Sequence, residues 1–418
     1  MKVSIDGQRL LRRIDELATI GAIVGASGER GSARLALTDE DRLGRDLVVR
    51  WMNDLGLEVT IDGIGNVIAV MPHASGHAPV MAGSHIDTVA TGGRFDGNLG
   101  VLAGLEVIES VMAAGIDLER PLAVGFFTDE EGARFAPDML GSLVYVGGMP
   151  LEQALDIAAV DGARLGDELI AIGYQGGGPC PGLVPHAFVE LHIEQGPVLE
   201  AEGVRIGAVT GVQGISWTRV NLVGQSNHAG TTPMSMRRDS AAAMFDIGVR
   251  LAEIVAEVGP PQVGTIGRIE VTPNLVNVVP SRVSFTIDVR HTDEMVLRSV
   301  EDRVHAIVRE IADRHGLMVS TETLARFEPV AFDDRVVSIV EATARAHGLS
   351  VQRMPSGAGH DAQMLARVCP TAMIFTPSVN GISHNPAEFT SDDDLIAGTQ
   401  VLADVMLELT EWNPKERS

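Results

Sequence analysis

The sequence predicts an α/β fold: a mixed sheet covered by helices on both faces, interrupted by an inserted ferredoxin-like α+β unit. Three observations carry that expectation. Short, wholly apolar runs end in polar residues capable of chemistry, and stretches of helical periodicity separate those runs. The middle of the chain then changes rhythm, to the order β-α-β-β-α-β.

The apolar runs come first. Pro79-Val80-Met81-Ala82 leads into His85, and Leu122-Ala123-Val124-Gly125-Phe126-Phe127 leads into Glu130. Phe188-Val189-Glu190-Leu191 leads into His192, and Ala372-Met373-Ile374-Phe375 precedes the loop of His384. Apolar runs without strict alternation suit strands buried on both faces. Leu99 to Met112 and Leu395 to Leu409 carry the period of helices. Ligands of open α/β sheets gather beyond the carboxyl ends of the strands, and that is where the polar residues fall.

From about Gly211 to Phe327 the pattern differs. Thr218 to Val223 reads as a strand and Ser240 to Val258 as a helix, with Ala243, Ile247, Leu251, Ile254 and Val258 on one stripe. Gly264 to Glu270 and Val283 to Val289 read as strands. Asp293 to His315 reads as a second helix stopped by Gly316, and Leu317 to Thr323 as a closing strand. The expected organisation is therefore a catalytic domain in two parts, residues 1–210 and 328–418, around an insert at 211–327.

Composition narrows the class. The chain has 418 residues, enough for two cores, and a formal charge of −24. That charge disfavours nucleic acid or an anionic membrane as the main partner, because both need a basic surface. It leaves anionic small substrates open, since one arginine can dominate the field in a cleft. No run is apolar and long enough to span a bilayer, and the start has no apolar signal region. Cys180 and Cys369 are too few for a disulfide framework, so a cytoplasmic protein with reduced thiols is expected.

Candidate chemistry lies in the polar residues after the strands. His85 and Asp87 form a His-x-Asp unit in which the acid can orient the imidazole. Asp96, in a glycine-rich turn, has two oxygens and can bridge two cations. Glu130 and Glu131 are adjacent, so one can bind metal while the other faces a bound water. His192 and His384 supply further nitrogens. Each alone has a bland reading: a lone histidine is usually a surface or hydrogen-bonded residue, paired glutamates are usually solvated, and Asp-Gly is usually a turn. Their conjunction points to metal, and Asp129-Glu130-Glu131 after an apolar strand calls for neutralising cations. Imidazole plus carboxylate suits two divalent ions, Zn²⁺, Mn²⁺, Co²⁺ or Ni²⁺, without choosing among them.

These blocks resemble the peptidase M20 family, and within it the amidase, hydantoinase and carbamoylase branch. The resemblance is carried by Gly83-Ser84-His85-Ile86-Asp87-Thr88, Gly93-Arg94-Phe95-Asp96-Gly97, Glu130-Glu131-Gly132-Ala133-Arg134-Phe135 and His192-Ile193-Glu194-Gln195-Gly196-Pro197. Asn227-His228-Ala229-Gly230, Asn274 to Pro280, Asp288-Val289-Arg290, Gly357-Ala358-Gly359-His360-Asp361-Ala362 and Ser383-His384 continue it over nearly the whole chain. It implies a metal-dependent exopeptidase-like catalytic domain with an inserted lid and dimerisation domain. Asp96 would bridge the metals, with His85 and His192 on one and Glu131 and His384 on the other. Glu130 would be the general base, and the Asp96–Gly97 peptide would be cis.

The resemblance also implies that His228 enters the partner's active site in a homodimer and stabilises the oxyanion. Asn277 and Arg290 would hold the substrate carboxylate, with Gln195, Gly359 and His360 lining the pocket. The implied reaction is hydrolysis of the ureido bond of N-carbamoyl-L-amino acids, with allantoate or N-carbamoyl-β-alanine as alternative substrates of the same chemistry. A noncatalytic relic of the scaffold is the rival from another class. Loss of Glu130 or of a ligand would mark it, and all of them are present.

Overall fold

The computed structural model describes residues 2–159 and 161–412. The chain divides into two compact units, Met1–Thr210 with Phe332–Ser418, and Gly211–Ala331.

The first unit is built on a mixed sheet to which it contributes eight strands among the described residues. Its middle consists of four parallel strands in the spatial order Leu122–Phe127, Val80–His85, Ala187–Ile193 and Thr371–Thr376. Every residue of these four is buried, which is why their sequences read as apolar runs rather than alternating ones. Antiparallel strands continue the sheet on both sides: Val67–Val70 and Glu58–Ile61 beyond Leu122–Phe127, and Ile206–Val212 beyond Thr371–Thr376. Parallel register sets His85 opposite Phe127, and His192 opposite Phe375. All four parallel strands therefore end on the same side.

Helices flank the sheet. Asn98–Ala114 lies across Val80–His85, Leu122–Phe127 and Ala187–Ile193 and packs against Asp392–Glu411. Leu140–Tyr145 and Asp361–Leu365 pack against each other and against strands of the same sheet. The last helix starts three residues before the expected Leu395. Ser391 caps it by accepting from the Asp394 amide at 3.2 Å, and Asp392, Asp393 and Asp394 fill its first turn. Three acids in a row read as a solvated loop, yet at a helix N-terminus they face the positive end of the dipole.

The second unit is a ferredoxin-like sandwich. Its four antiparallel strands lie in the order Val263–Thr272, Arg282–His291, Gly214–Val223, Met318–Phe327. Helices Ser240–Val258 and Glu294–Arg314 cover one face, around Val220, Leu222, Ile247, Phe285, Val304 and Ile311. The first strand begins four residues before the expected Thr218. Ser216 and Thr218 occupy buried positions of its alternation, so polar side chains hide the strand's start from a hydrophobic pattern. Among the described residues no helix is long and apolar enough to cross a membrane.

Candidate active site

The parallel strands deliver chemistry at their carboxyl ends. His85 is the last residue of Val80–His85, His192 is the sixth of Ala187–Ile193, and Glu130 and Glu131 follow Leu122–Phe127 by three and four residues. His384 comes from the loop after Thr371–Thr376. Asp96 sits between the His85 strand and helix Asn98–Ala114. Residues up to 299 positions apart in sequence, His85 and His384, thus both approach Asp96.

Asp96 is the centre. Its Oδ1 lies 3.1 Å from His192 Nε2 and 3.6 Å from His85 Nε2, and its Oδ2 lies 3.4 Å from His384 Nε2. His384 Nε2 is also 3.2 Å from Glu131 Oε2. Two groups of ligand atoms result, His85–Asp96–His192 and Asp96–Glu131–His384, each within 4.8 Å and sharing Asp96. Glu130 belongs to neither and stands with Oε2 3.4 Å from His85 Nε2.

The residues fit two divalent ions. His85 Nδ1 meets the Asp87 carbonyl at 2.9 Å and His192 Nδ1 meets the Ile193 carbonyl at 2.8 Å. A carbonyl only accepts, so both Nδ1 atoms donate and both Nε2 atoms face the Asp96 carboxylate, His192 Nε2 also accepting from the Gly97 amide at 3.1 Å. Glu131 Oε1 is buried with no hydrogen-bond partner among the described residues. Burial by itself would lower the His85 pKa, but Glu130, Asp96 and Asp87 hold it well above the ordinary value. Burial would raise Asp96, yet His192, His384 and His85 hold it well below the usual carboxylate range. Bonds to Asp96 and Glu131 push His384 up to about 10. The cluster recruits positive charge, and divalent cations supply it in place of protons.

Backbone geometry carries part of the cost. Asp129, Gln195 and His384 adopt φ of 56°, 58° and 53°, a region non-glycine residues seldom occupy and one that recurs at functional sites. The expected cis Asp96–Gly97 bond is corrected: cis bonds among the described residues all precede proline. The chain reverses instead through Gly97 at φ 64°, where a Cβ would come within 2.4 Å of the His85 ring.

Further residues line or brace the cleft. The Asp87 carboxylate is 3.9 Å from His85 Nδ1 and accepts from the Glu130 and Glu131 amides, both at 3.3 Å. The carbonyl of Asp87 orients the imidazole, while its carboxylate orients the glutamates. Gln195 lines the cleft, but its Nε2 donates to Asp96 Oδ2 at 2.8 Å. Gly359 and His360 line the same cleft. The His360 ring is buried edge-on against His192, with centroids 4.6 Å apart, and its Nε2 lies 2.9 Å from Ser356 Oγ. Burial, with His192 beside it, holds its pKa well below the ordinary value, so it is neutral.

His228, Asn277 and Arg290 belong to the ferredoxin-like unit. His228 is exposed, and Ala229 donates to the Asn277 carbonyl at 2.9 Å, so the two loops are neighbours. Arg290 holds Asp288 with Nη2 2.9 Å from Oδ2. Arg290 pairs with Ile215, whereas Arg282 pairs with Val223, the end from which the His228 loop leaves. Eight residues of strand, about 27 Å at ~3.4 Å each, separate those ends.

Two buried residues escaped sequence reasoning. Arg34 donates to the Ile86 carbonyl at 2.7 Å and to Asn98 Oδ1 at 2.8 Å, clamping the segments after His85 and Asp96. Burial lowers its pKa to about 10, against the pull of Asp41 and Asp87. Glu388 accepts from the Phe95 and Asp96 amides. Burial, with Asp96 beside it, pushes its pKa up to about 7. In sequence each is a lone charged residue between apolar neighbours, Arg34 between Ala33 and Leu35 and Glu388 between Ala387 and Phe389. No spacing rule signals them, because their partners are mostly backbone atoms.

Comparison with known proteins agrees with this geometry. The profile of peptidase family M20/M25/M40 matches residues 81–408. The chain is 41% identical over 408 residues to an N-carbamoyl-L-amino-acid amidohydrolase of Rhizobium meliloti, covering 97% of each. It is 38% identical over 393 residues to the allantoate amidohydrolase of Escherichia coli strain K12, covering 93% of this chain and 95% of that one. A solved amidase of the hydantoinase/carbamoylase family from Burkholderia multivorans superposes with a TM-score of 0.94 at 44% identity, over 98% of both chains. The chain belongs to peptidase family M20/M25/M40. Within it, the chain is a metal-dependent amidohydrolase of the hydantoinase/carbamoylase branch, with a centre for two divalent ions.

Proposed function

We propose that the chain hydrolyses the ureido group of N-carbamoyl-L-amino acids to the amino acid, ammonia and carbon dioxide. One observation carries the mechanism: Glu130 is a buried acid beside two ligand triads that share Asp96, and it is a member of neither. His85, Asp96 and His192 would hold one divalent ion and Asp96, Glu131 and His384 the other. Ions held there would supply Lewis acidity, lowering the pKa of a bound water toward neutrality and polarising the ureido carbonyl. Glu130 takes the proton of the attacking water and returns it to the departing nitrogen. Burial, opposed by His85 and reinforced by Asp361 and Glu131, raises its pKa well above the usual carboxylate range.

The ferredoxin-like unit would supply the substrate contacts. Arg290 of one copy and Asn277 of the other, which neighbours His228, would hold the free carboxylate, the guanidinium exchanging Asp288 for the substrate. His228 donates to the oxyanion. Because Arg290 and His228 lie at opposite ends of one sheet, we infer that they serve different active sites, which requires a homodimer. Phe245 and Val249 on helix Ser240–Val258 are 67% and 60% exposed, and the edge strand Val263–Thr272 beside that helix has a free side. An apolar helix face next to an unpaired edge is suited to a second copy. Cys180 and Cys369 are free thiols, in keeping with a cytoplasmic setting.

Allantoate is the second reading, favoured by the 38% identity to an allantoate amidohydrolase. Turnover of N-carbamoyl-L-amino acids, N-carbamoyl-β-alanine and allantoate with Mn²⁺, Co²⁺ or Zn²⁺ separates the possibilities. The carbamoyl-L-amino acids are expected to give the highest kcat/KM; a higher value for allantoate reverses the assignment. Glu130→Gln is expected to keep both metals and lose at least about 100-fold in kcat, and unchanged kcat removes Glu130 from the mechanism.

A further inference from the structure

We propose that Glu388 is a positioning residue, fastening the loop of Asp96 to the loop of His384 and thereby fixing the metal position made by Asp96, Glu131 and His384. Its carboxylate is 3% exposed and fully used. Oε1 accepts from the amides of Phe95 at 3.0 Å and Asp96 at 3.2 Å, and Oε2 accepts from Ser383 Oγ at 3.0 Å. One side chain thus grips the backbone of the shared ligand and the residue next to His384. The chain makes room for it: a Cβ on Gly93 would stand 2.0 Å from Glu388 Oε1.

The two metal positions depend on this clamp unequally. His85 and His192 lie on buried strands, and each fixes its Nδ1 on a carbonyl. His384 sits in a loop at φ 53°, its side chain is 51% exposed, and its Nδ1 has no hydrogen bond among the described residues. Its placement therefore rests on the loop, and Ser383–Glu388 ties that loop to Asp96. Small losses of ligand orientation weaken metal binding by about 10- to 100-fold.

The inference rests on the two-metal centre proposed above, and calorimetric titration of the chelator-stripped full chain with Mn²⁺ tests both. His384→Ala identifies which equivalent belongs to the outer position. Glu388→Ala is expected to weaken that equivalent by at least about tenfold and the other by less than about threefold. Glu388→Gln keeps a carbonyl for the Phe95 and Asp96 amides and offers an N–H to Ser383 Oγ, so it is expected to stay within about threefold of wild type. Ser383→Ala removes the bond to Glu388 together with the Ser383 Oγ contacts to Asp96 Oδ2 at 3.3 Å and Gln195 Nε2 at 3.2 Å; it is expected to weaken the same equivalent and serves if Glu388→Ala does not fold. Two unchanged equivalents in Glu388→Ala, or equal weakening of both, overturns the role of Glu388. A wild-type chain that takes up a single equivalent overturns the two-metal centre and this proposal with it.

Discussion

At the scale of single residues, the centre depends on atoms that are missing as much as on those present. Gly97 turns the chain at φ 64° against the His85 ring, with no room for a methyl group. Gly97→Ala is expected to lower metal affinity at the His85–Asp96–His192 position by more than about tenfold. Gly115 has nearly the same φ, 60°, but opens to empty space at a helix end. Gly115→Ala should cost about 1 kcal/mol in stability and leave metal affinity unchanged. Equal metal affinities in the two variants would show that contact with His85 is not what Gly97 avoids. The ligand residues themselves were legible, because imidazoles and acids after apolar runs are a chemical signal. Gly97 and Gly93 were visible only as turn formers, since the side chains they make room for arrive from distant strands and loops.

At the scale of elements, four parallel strands fix where the ligands start, and buried polar clamps fix where they end. Arg34 joins the segment after His85 to the start of helix Asn98–Ala114 through the Ile86 carbonyl and Asn98 Oδ1, and also donates to the Leu17 and Ile20 carbonyls. Arg34→Met keeps bulk but leaves those buried acceptors unpaired, and is expected to cost roughly 2–4 kcal/mol. Chemical denaturation measures it; a change below about 0.5 kcal/mol would mean that the segments hold their places without the guanidinium. Strands buried on both faces and helices with one apolar stripe were readable, since burial writes itself into period and composition. The start of strand Gly214–Val223 and the first turn of Asp392–Glu411 were not, because Ser216, Thr218 and the three aspartates obey hydrogen bonding and the helix dipole instead.

At the scale of the whole molecule, the roles proposed for His228 and Arg290 at opposite ends of the ferredoxin-like sheet would make assembly part of the chemistry. If His228 acts in the partner's site, His228→Ala and Glu130→Gln homodimers are each nearly inactive. Mixed dimers then hold one site with both residues intact, and co-refolding equal amounts should restore about a quarter of wild-type activity, half of the dimers each carrying one intact site of two. No recovery on mixing would place His228 with the metals of its own chain. In the proposed function, cleavage of a ureido group depends on two ions gathered around Asp96. Its most direct test is ammonia release from an N-carbamoyl-L-amino acid as Mn²⁺ is returned to the stripped chain. Activity should be absent without metal and reach its plateau at about two ions per chain; full turnover in the stripped chain, or none at two ions for any ureido substrate, would contradict it.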